Sequence, residues 1–293
     1  MDTRQLEYFV SVADHRSFTR AATALYAAQS TVSAGVRSLE RELGVRLFDR
    51  TTKAFSLTSA GAALLPEARR AIESIDRVRS SVAQSGAEIR GRLRIGTFIS
   101  LDSIELPHIL GEFHRRHPLV DLQLIASPSG STGLADEVRH GRADVAFMGL
   151  PARELSGFHV VELARSHFIA IMRSDDPLAE RIEIDLEDLV GCRWIDSPRG
   201  YASRMILDRL FLGKGLERVI SAEVADAAEI PRLVAAGLGV AAVPELIYRP
   251  APGVKALPIR SRELELVISV ISRENPAPAA AAFLALIARP DLG

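Results

Sequence analysis

The sequence predicts a mixed fold: a small helical domain closed by a β-hairpin, then one long helix, then a larger α/β domain in two lobes. Three observations carry this expectation. Apolar residues recur at helical spacing up to Gly44, a second helical stripe runs from Ser59 to about Ser85, and from Arg92 onward strand-like and helical runs alternate in two similar sets. The 293 residues, 47% hydrophobic and 25% charged, are those of a globular chain with two or three domains.

Three amphipathic helices open the chain. Leu6, Phe9, Val10 and Ala13 share one face, as do Phe18, Ala21, Ala22 and Leu25, and then Val32, Val36, Leu39 and Leu43. Ser17 stands where it can cap the second helix. The short "YAAQ" between the second and third helices fits a helix-turn-helix connection. Gly44 ends the third helix, and "VRLFDR" and "AFSLT", joined by the polar "TTK", read as a small hairpin or wing. With the apolar stripe of the third helix inward, Gln29, Ser30, Ser33 and Arg37 fall outside near its N-terminus, with Thr31 at the margin. Such side chains suit a DNA major groove: Gln pairs with adenine, Ser and Thr with several bases, Arg with guanine or phosphate. A merely solvated polar face is the competing account.

Charge constrains that surface. With 36 Lys and Arg against 37 Asp and Glu, the net charge is −1. Locally Arg37, Arg41, Arg46, Arg50 and Lys53 are opposed by Glu40, Glu42 and Asp49, so a DNA-binding face has to come from arrangement and from pairing of chains.

From the N-terminus to "LTSAG" the chain resembles the winged helix-turn-helix of the LysR-type transcriptional regulators, most closely in "SFTRAA", "AQS..S", "LE.ELGVRLFDR" and "LT.AG". The resemblance implies that Gln29, Ser30, Thr31, Ser33 and Arg37 face the groove and that Arg50, Thr51 and Lys53 lie on the wing, where they grip phosphates. It also implies promoter DNA, a small-molecule effector and a second copy of the chain as partners, in a dimer or a dimer of dimers, with RNA polymerase a further candidate. No cofactor is expected. One departure is Gly35, mid-helix where the family usually has a bulkier residue; it costs about 1 kcal/mol relative to Ala and bears on base preference there.

The long helix carries Leu64, Ala68, Ile72, Ile75, Val78 and Val82 on one stripe that needs a partner, and the family uses this helix as a dimer seam. Pro66 near its start bends it or marks its first turns. "SGAEIRG", residues 85–91, then serves as the linker. The expected division is a winged helix-turn-helix at residues 1–58, a linker and dimerisation helix at 59–90, and an effector-binding and oligomerisation domain at 91–293.

In that last domain "RLRIGTF", "DLQLIAS" and "DVAFMG" read as strands separated by the helical "SIELPHILGEFHRRH" and "TGLADEVRHG". "CRWIDS", "RVISAEV" and "GVAAVP" form a second set around "ASRMILDRLFLG" and "DAAEIPRLVAAG". The strands "SHFIAIMRS" and "LELVISVIS" cross between the two, before a last helix "AAFLALIA". Paired α/β lobes with two crossings enclose a cleft, resembling the type 2 periplasmic-binding-protein fold that the family uses for its effector domain. Ligands bind open α/β sheets at strand ends. The expected cleft residues are therefore Thr97, Phe98, Ile99 and Ser100, then Ser127, Ser129, Ser131 and Thr132, then Met148 and Gly149. The second lobe adds Ser197, Arg199, Gly200, Tyr201 and Asp226. So many hydroxyls and helix starts suit a small polar anion. Arg199 could hold an organic acid by two hydrogen bonds, or could simply be a surface residue of a Pro-Gly turn.

Other signals point away from catalysis. "GLGVAA" has the form of a dinucleotide fingerprint but follows a helix and enters a strand, the reverse of the required order. His114 and His117 in "HRRH" lack the further ligands of a metal set and suit a helix C-terminus. The one cysteine, Cys192, reads as a small buried hydrophobe, not a nucleophile. No apolar run reaches membrane-spanning length and the N-terminus lacks the pattern of a signal peptide, which points to the cytoplasm. Two functions remain. One is an effector-responsive DNA-binding regulator; the other is a cytoplasmic small-molecule binding protein or enzyme that uses the two-lobed domain, with the N-terminal part only for oligomerisation.

Overall fold

A computed structural model of the protein describes residues 1–49, 55–83, 88–97, 105–261 and 263–288. The chain divides into two compact units, Met1–Ala87 and Glu88–Gly293.

The first unit begins with α1 (Thr3–His15), started by a reciprocal cap in which Asp2 accepts from the Gln5 amide and the Gln5 side chain accepts from that of Asp2. Ser17 caps α2 (Phe18–Ala24) by accepting from the Arg20 amide. The third helix, α3 (Gln29–Leu43), buries Val32, Val36 and Leu39, while Leu43, the last residue of the expected stripe, stays 39% exposed. Gly44 ends it with φ 69°, a conformation open to glycine. Two short strands, β1 (Phe48–Asp49) and β2 (Ser56–Leu57), pair antiparallel as the expected hairpin. The Phe48 ring lies between those of Phe9, Phe18 and Phe55, with centroids 5.1 to 5.6 Å away, and seals the hairpin onto the helices. The long helix α4 (Ser59–Ala83) runs unbroken through Pro66. Its first half joins the same core through Leu64, Ala68 and Ile72, and Arg69 pairs with Asp14 of α1. Farther along, Val78 is 63% exposed.

In the second unit β3 (Gly91–Thr97), α5 (Leu106–Arg116), β4 (Val120–Ala126), α6 (Gly130–Arg139) and β5 (Val145–Met148) form the first lobe. Then β6 (Phe158–Arg173) leads away. It is a single 16-residue strand, longer than the stretch the sequence marks. Its first part pairs with β11 (Glu265–Arg273), and its last part with β9 (Ala241–Pro244) and β10 (Val254–Pro258) of the second lobe. The remaining elements of that lobe are β7 (Arg193–Asp196), α7 (Ala202–Gly213), β8 (Val219–Glu223) and α8 (Ile230–Ala235). A last helix, α9 (Pro278–Ile287), returns to the first lobe, where Phe283 packs on Phe113 and Phe147. The main sheet runs β10-β6-β11-β5-β3-β4, so β6 and β11 are the two crossings. Gly237 and Gly239 of the "GLGVAA" run turn the chain from α8 into β9. A side chain at Gly239 would meet the Arg193 carbonyl at 2.2 Å.

Candidate functional site

The outer face of α3 is polar because its inner face is spent on the core. Gln29, Ser30, Thr31 and Arg37 are exposed and Ser33 is half-buried. Side chains cap α1 and α2, but the N-cap of α3 is Ala28, which has no polar side chain to offer, so no side chain caps this helix start. Farther along the helix Arg37, Arg41 and Arg46 line a hollow of about 600 Å³. Glu40, among them, does not neutralise the hollow alone: its Oε1 accepts from the amides of Leu47 and Phe48 at 2.9 and 3.4 Å and fixes the entry to the hairpin. Among the described residues the ion pairs of this unit are Met1 with Glu42, Asp14 with Arg69 and Glu67 with Arg70.

Gly35 is not part of that face. A Cβ there would lie 2.4 Å from the Tyr8 ring, so the glycine permits the close approach of α1 and α3. Arg50, Thr51 and Lys53 lie outside the described residues. Tyr26, which the sequence reading passed over, stands in the connection before α3. Its amide donates to the Thr23 carbonyl and that of Ala27 to the Ala22 carbonyl, the hydrogen bonds of a Schellman helix end. Tyr26 takes the left-handed position with φ 50°, at a cost of about 1–2 kcal/mol for a residue with a Cβ, and its side chain is 100% exposed.

At the boundary of the two lobes the loop before α6 meets the loop before α7. The Thr132 amide donates to the Gly200 carbonyl at 3.3 Å, and the Thr132 hydroxyl to the Ser129 carbonyl at 3.0 Å. Two glycines allow the contact. With φ +92°, Gly200 would place a Cβ 2.6 Å from the Ser129 carbonyl oxygen; Gly130, with φ +57°, would place one 2.7 Å from the Tyr201 ring. Burial pushes the Tyr201 hydroxyl up from its ordinary pKa. Ser129 and Arg199 are exposed, and among the described residues Arg199 makes no ion pair. Ser127 turns inward to accept from the Ser129 amide at 3.3 Å. Ser131 and Ser197 are buried, the first accepting from the Gly149 amide, the second from the Ser203 hydroxyl. Asp226 accepts from the Ala228 amide at 3.0 Å and starts a short turn before α8. Thr97, half-buried, ends β3; Phe98, Ile99 and Ser100 lie outside the described residues.

Met148 corrects the expectation for the end of β5. It is fully buried with Leu134, Ala146 and Ile271, because β5 lies inside the sheet between β3 and β11 and is covered on both faces. Gly149 is buried too, against Leu266 and Ala202. A cavity of about 670 Å³ also opens at the lobe boundary, along α7, lined by Gly149, Arg153, Ile206, Arg209 and Glu263 among others.

Beneath residues 197–201 lies an ion network with no counterpart in the sequence reading. Asp196, ending β7, accepts from Arg218 at 2.5 Å. Arg204 donates to Asp208 and to Glu223 at 2.8 to 3.0 Å, and to the Ser197 carbonyl at 3.2 Å, which ties the loop down. Arg218, also paired with Asp208, lies 5.0 Å over the rings of both Trp194 and Phe211. Burial pushes the Asp196 carboxyl up, against Arg218 and Arg204, which pull it down.

Residues 3–62 match the model described as bacterial regulatory helix-turn-helix protein, lysR family, and residues 86–290 that of the LysR substrate binding domain. The chain belongs to the LysR family. It is 34% identical over 269 residues to the HTH-type transcriptional regulator ShiR of Corynebacterium glutamicum, covering 91% of this chain and 90% of that one. It is 28% identical over 276 residues to the DNA-binding transcriptional dual regulator OxyR of Escherichia coli, with 93% and 90% covered. Among solved structures, a cysteine-to-aspartate variant of full-length OxyR from Pseudomonas aeruginosa superposes with a TM-score of 0.78 at 25% identity, covering 98% and 93%. CbnR in complex with its target DNA superposes at 0.61 and 27%, covering 98% and 99%. This LysR-type transcriptional regulator thus carries a DNA-binding helix-turn-helix and an effector-binding domain of two lobes.

Sequence reasoning located the outward polar face of α3 in the LysR helix-turn-helix but missed Tyr26, although a bulky residue between two helices, where glycine is the default, was a usable signal. It also missed the Arg204 and Arg218 network. Nothing local marks those arginines, since Arg218 and Asp196 stand 22 residues apart.

Proposed function

We propose that this regulator binds promoter DNA as a dimer or a dimer of dimers, and that a small carboxylate-bearing effector entering between its lobes changes that binding. Gln29, Ser30, Thr31, Ser33 and Arg37 read bases, and Arg50, Thr51 and Lys53 grip phosphates from the hairpin. The observation that carries this reading is α3, whose buried Val32, Val36 and Leu39 leave its polar side chains outward at an uncapped helix start. Residues 1–58 bind DNA, 59–90 link and dimerise, and 91–293 bind the effector and oligomerise; exposed Val78 on α4 suits a seam between copies. Binding to DNA places the protein in the cytoplasm, and RNA polymerase shares the promoter with it. No catalytic step and no cofactor belong to this function.

The effector site proposed is the loop contact that holds Ser129, Thr132, Gly200 and Tyr201, with exposed Arg199 supplying the charge for a carboxylate. Thr97, Ser127, Ser131, Gly149, Ser197 and Asp226 support or flank it. An effector that separated the loops would replace the bond from Thr132 to Gly200 with one of its own, which is the differential affinity a population shift requires. Relatives named as hydrogen peroxide-inducible gene activators do not supply the effector class. The sequence has one cysteine, so no disulfide can form within it, and burial and nearby Asp176 push the Cys192 thiol up, away from the reactive thiolate.

The test is a selection of full-length protein on fragmented genomic DNA, washed at near-physiological salt, where non-specific phosphate binding is weak. Enrichment of promoter-proximal sites with an interrupted dyad is the expected result. No enrichment, with control binders working, would overturn the DNA-reading assignments. Carboxylates from the reactions those promoters control are then titrated against wild type and Arg199→Ala; an undiminished response in the variant removes Arg199 from the site.

A further inference from the structure

Tyr26 in the helix-turn-helix is a large side chain that the fold does not use. Tyr26 is 100% exposed, so folding gains no apolar burial from it, and its φ of 50° is one that glycine takes freely and tyrosine does not. The Schellman bonds that hold it there would form equally well with glycine. It precedes Ala28, the N-cap of α3, by two residues and continues the exposed surface of Gln29, Ser30 and Thr31. When the first turn of such a helix enters a major groove, a residue just outside that turn stands at the groove edge, where the phosphates are.

We propose that Tyr26 contacts DNA, its phenol hydroxyl donating a hydrogen bond to a backbone phosphate beside the base pairs read by α3. The contact sets the register of the helix and carries no sequence preference of its own. Because the phenol is neutral, it releases no counterion, so its removal weakens binding without changing the salt dependence, unlike loss of a cation.

Full-length wild type, Tyr26→Phe and Tyr26→Gly are compared by thermal unfolding and by affinity across a sodium chloride series. The probes are a duplex recovered by genomic selection and a scrambled duplex of the same composition. Tyr26→Phe is expected to melt as wild type does and to lose about fivefold affinity for both duplexes, with an unchanged slope of log Kd against log salt. Tyr26→Gly, free of the backbone strain, is expected to melt at a higher temperature and yet bind at least as weakly as Tyr26→Phe. Wild-type affinity for both duplexes in Tyr26→Phe would overturn the hydroxyl contact, even if Tyr26→Gly bound weakly. A loss confined to the selected duplex would mean a base contact and overturn the phosphate assignment. The wild type in the same series separates a failure of this residue from a failure of DNA binding altogether.

Discussion

Both units are rich in arginine and use it in opposite ways. In the first, Arg4, Arg16, Arg20, Arg37, Arg41 and Arg46 are exposed and, among the described residues, make no ion pair. In the second, arginine is mostly a structural clamp. Arg94 grips Asp144 with two guanidinium bonds at 2.7 and 3.1 Å and joins β3 to β5, Arg142 grips Glu137, and Arg204 and Arg218 sit in a carboxylate network. A net charge of −1 therefore conceals a division of labour. Cations whose charge is spent inside the second unit hold it together, and those exposed arginines of the first unit lie unspent on its surface.

The strongest way to break that comparison is to remove a structural arginine. Arg218→Ala strips Asp196 and Asp208 of a partner and takes the cation off Trp194 and Phe211, with an expected loss of about 3–5 kcal/mol. Trp194 is the one tryptophan, so its fluorescence in denaturant follows this unit directly; an unchanged midpoint would show the network to be dispensable. A packing control comes next. Gly35→Ala should destabilise the first unit by about 1–3 kcal/mol, despite the better helix propensity of alanine, because the new methyl meets the Tyr8 ring. A higher melting temperature by circular dichroism would mean that Tyr8 yields freely.

Arg37→Ala sharpens the other half. Its folding stability should stay within about 0.5 kcal/mol of wild type. Its DNA affinity should fall by about 1–3 kcal/mol, measured by fluorescence anisotropy. A stability loss with intact DNA binding would reverse the role assigned here. The smallest effect is expected for Ser33→Ala, half-buried at the edge of the face: altered site preference in a repeated genomic selection, with binding to unrelated DNA unchanged. Equal loss on both would place Ser33 among the phosphate contacts.

Helices and most strands were legible because their signals are local. Asp2 and Ser17 cap the first two helices, and alternation of strand and helix announced two lobes. The hairpin and the outward polar face of α3 followed from the same local patterns. Less visible was the first half of β6, where half-buried and exposed positions mix, whereas its last half is almost continuously buried and stands out as an apolar run. The candidate cleft was legible only as a set of strand ends. Which members meet depends on how the loops close: Thr132 and Gly200 do, whereas Met148 points into a core.

By itself the sequence determined the helix-turn-helix, its outward side chains and the family, since these rest on spacing within one or two turns and on a contiguous motif. Tertiary structure decided which cations are free and which are bound. Arg94 and Asp144 are 50 residues apart, and Arg218 and Asp196 are 22 apart, so only the paired strands and helices bring the opposite charges within hydrogen-bonding distance. It also decided that Gly35 lies under Tyr8 and that Tyr26 has no place in the core, because burial depends on what the other helices cover.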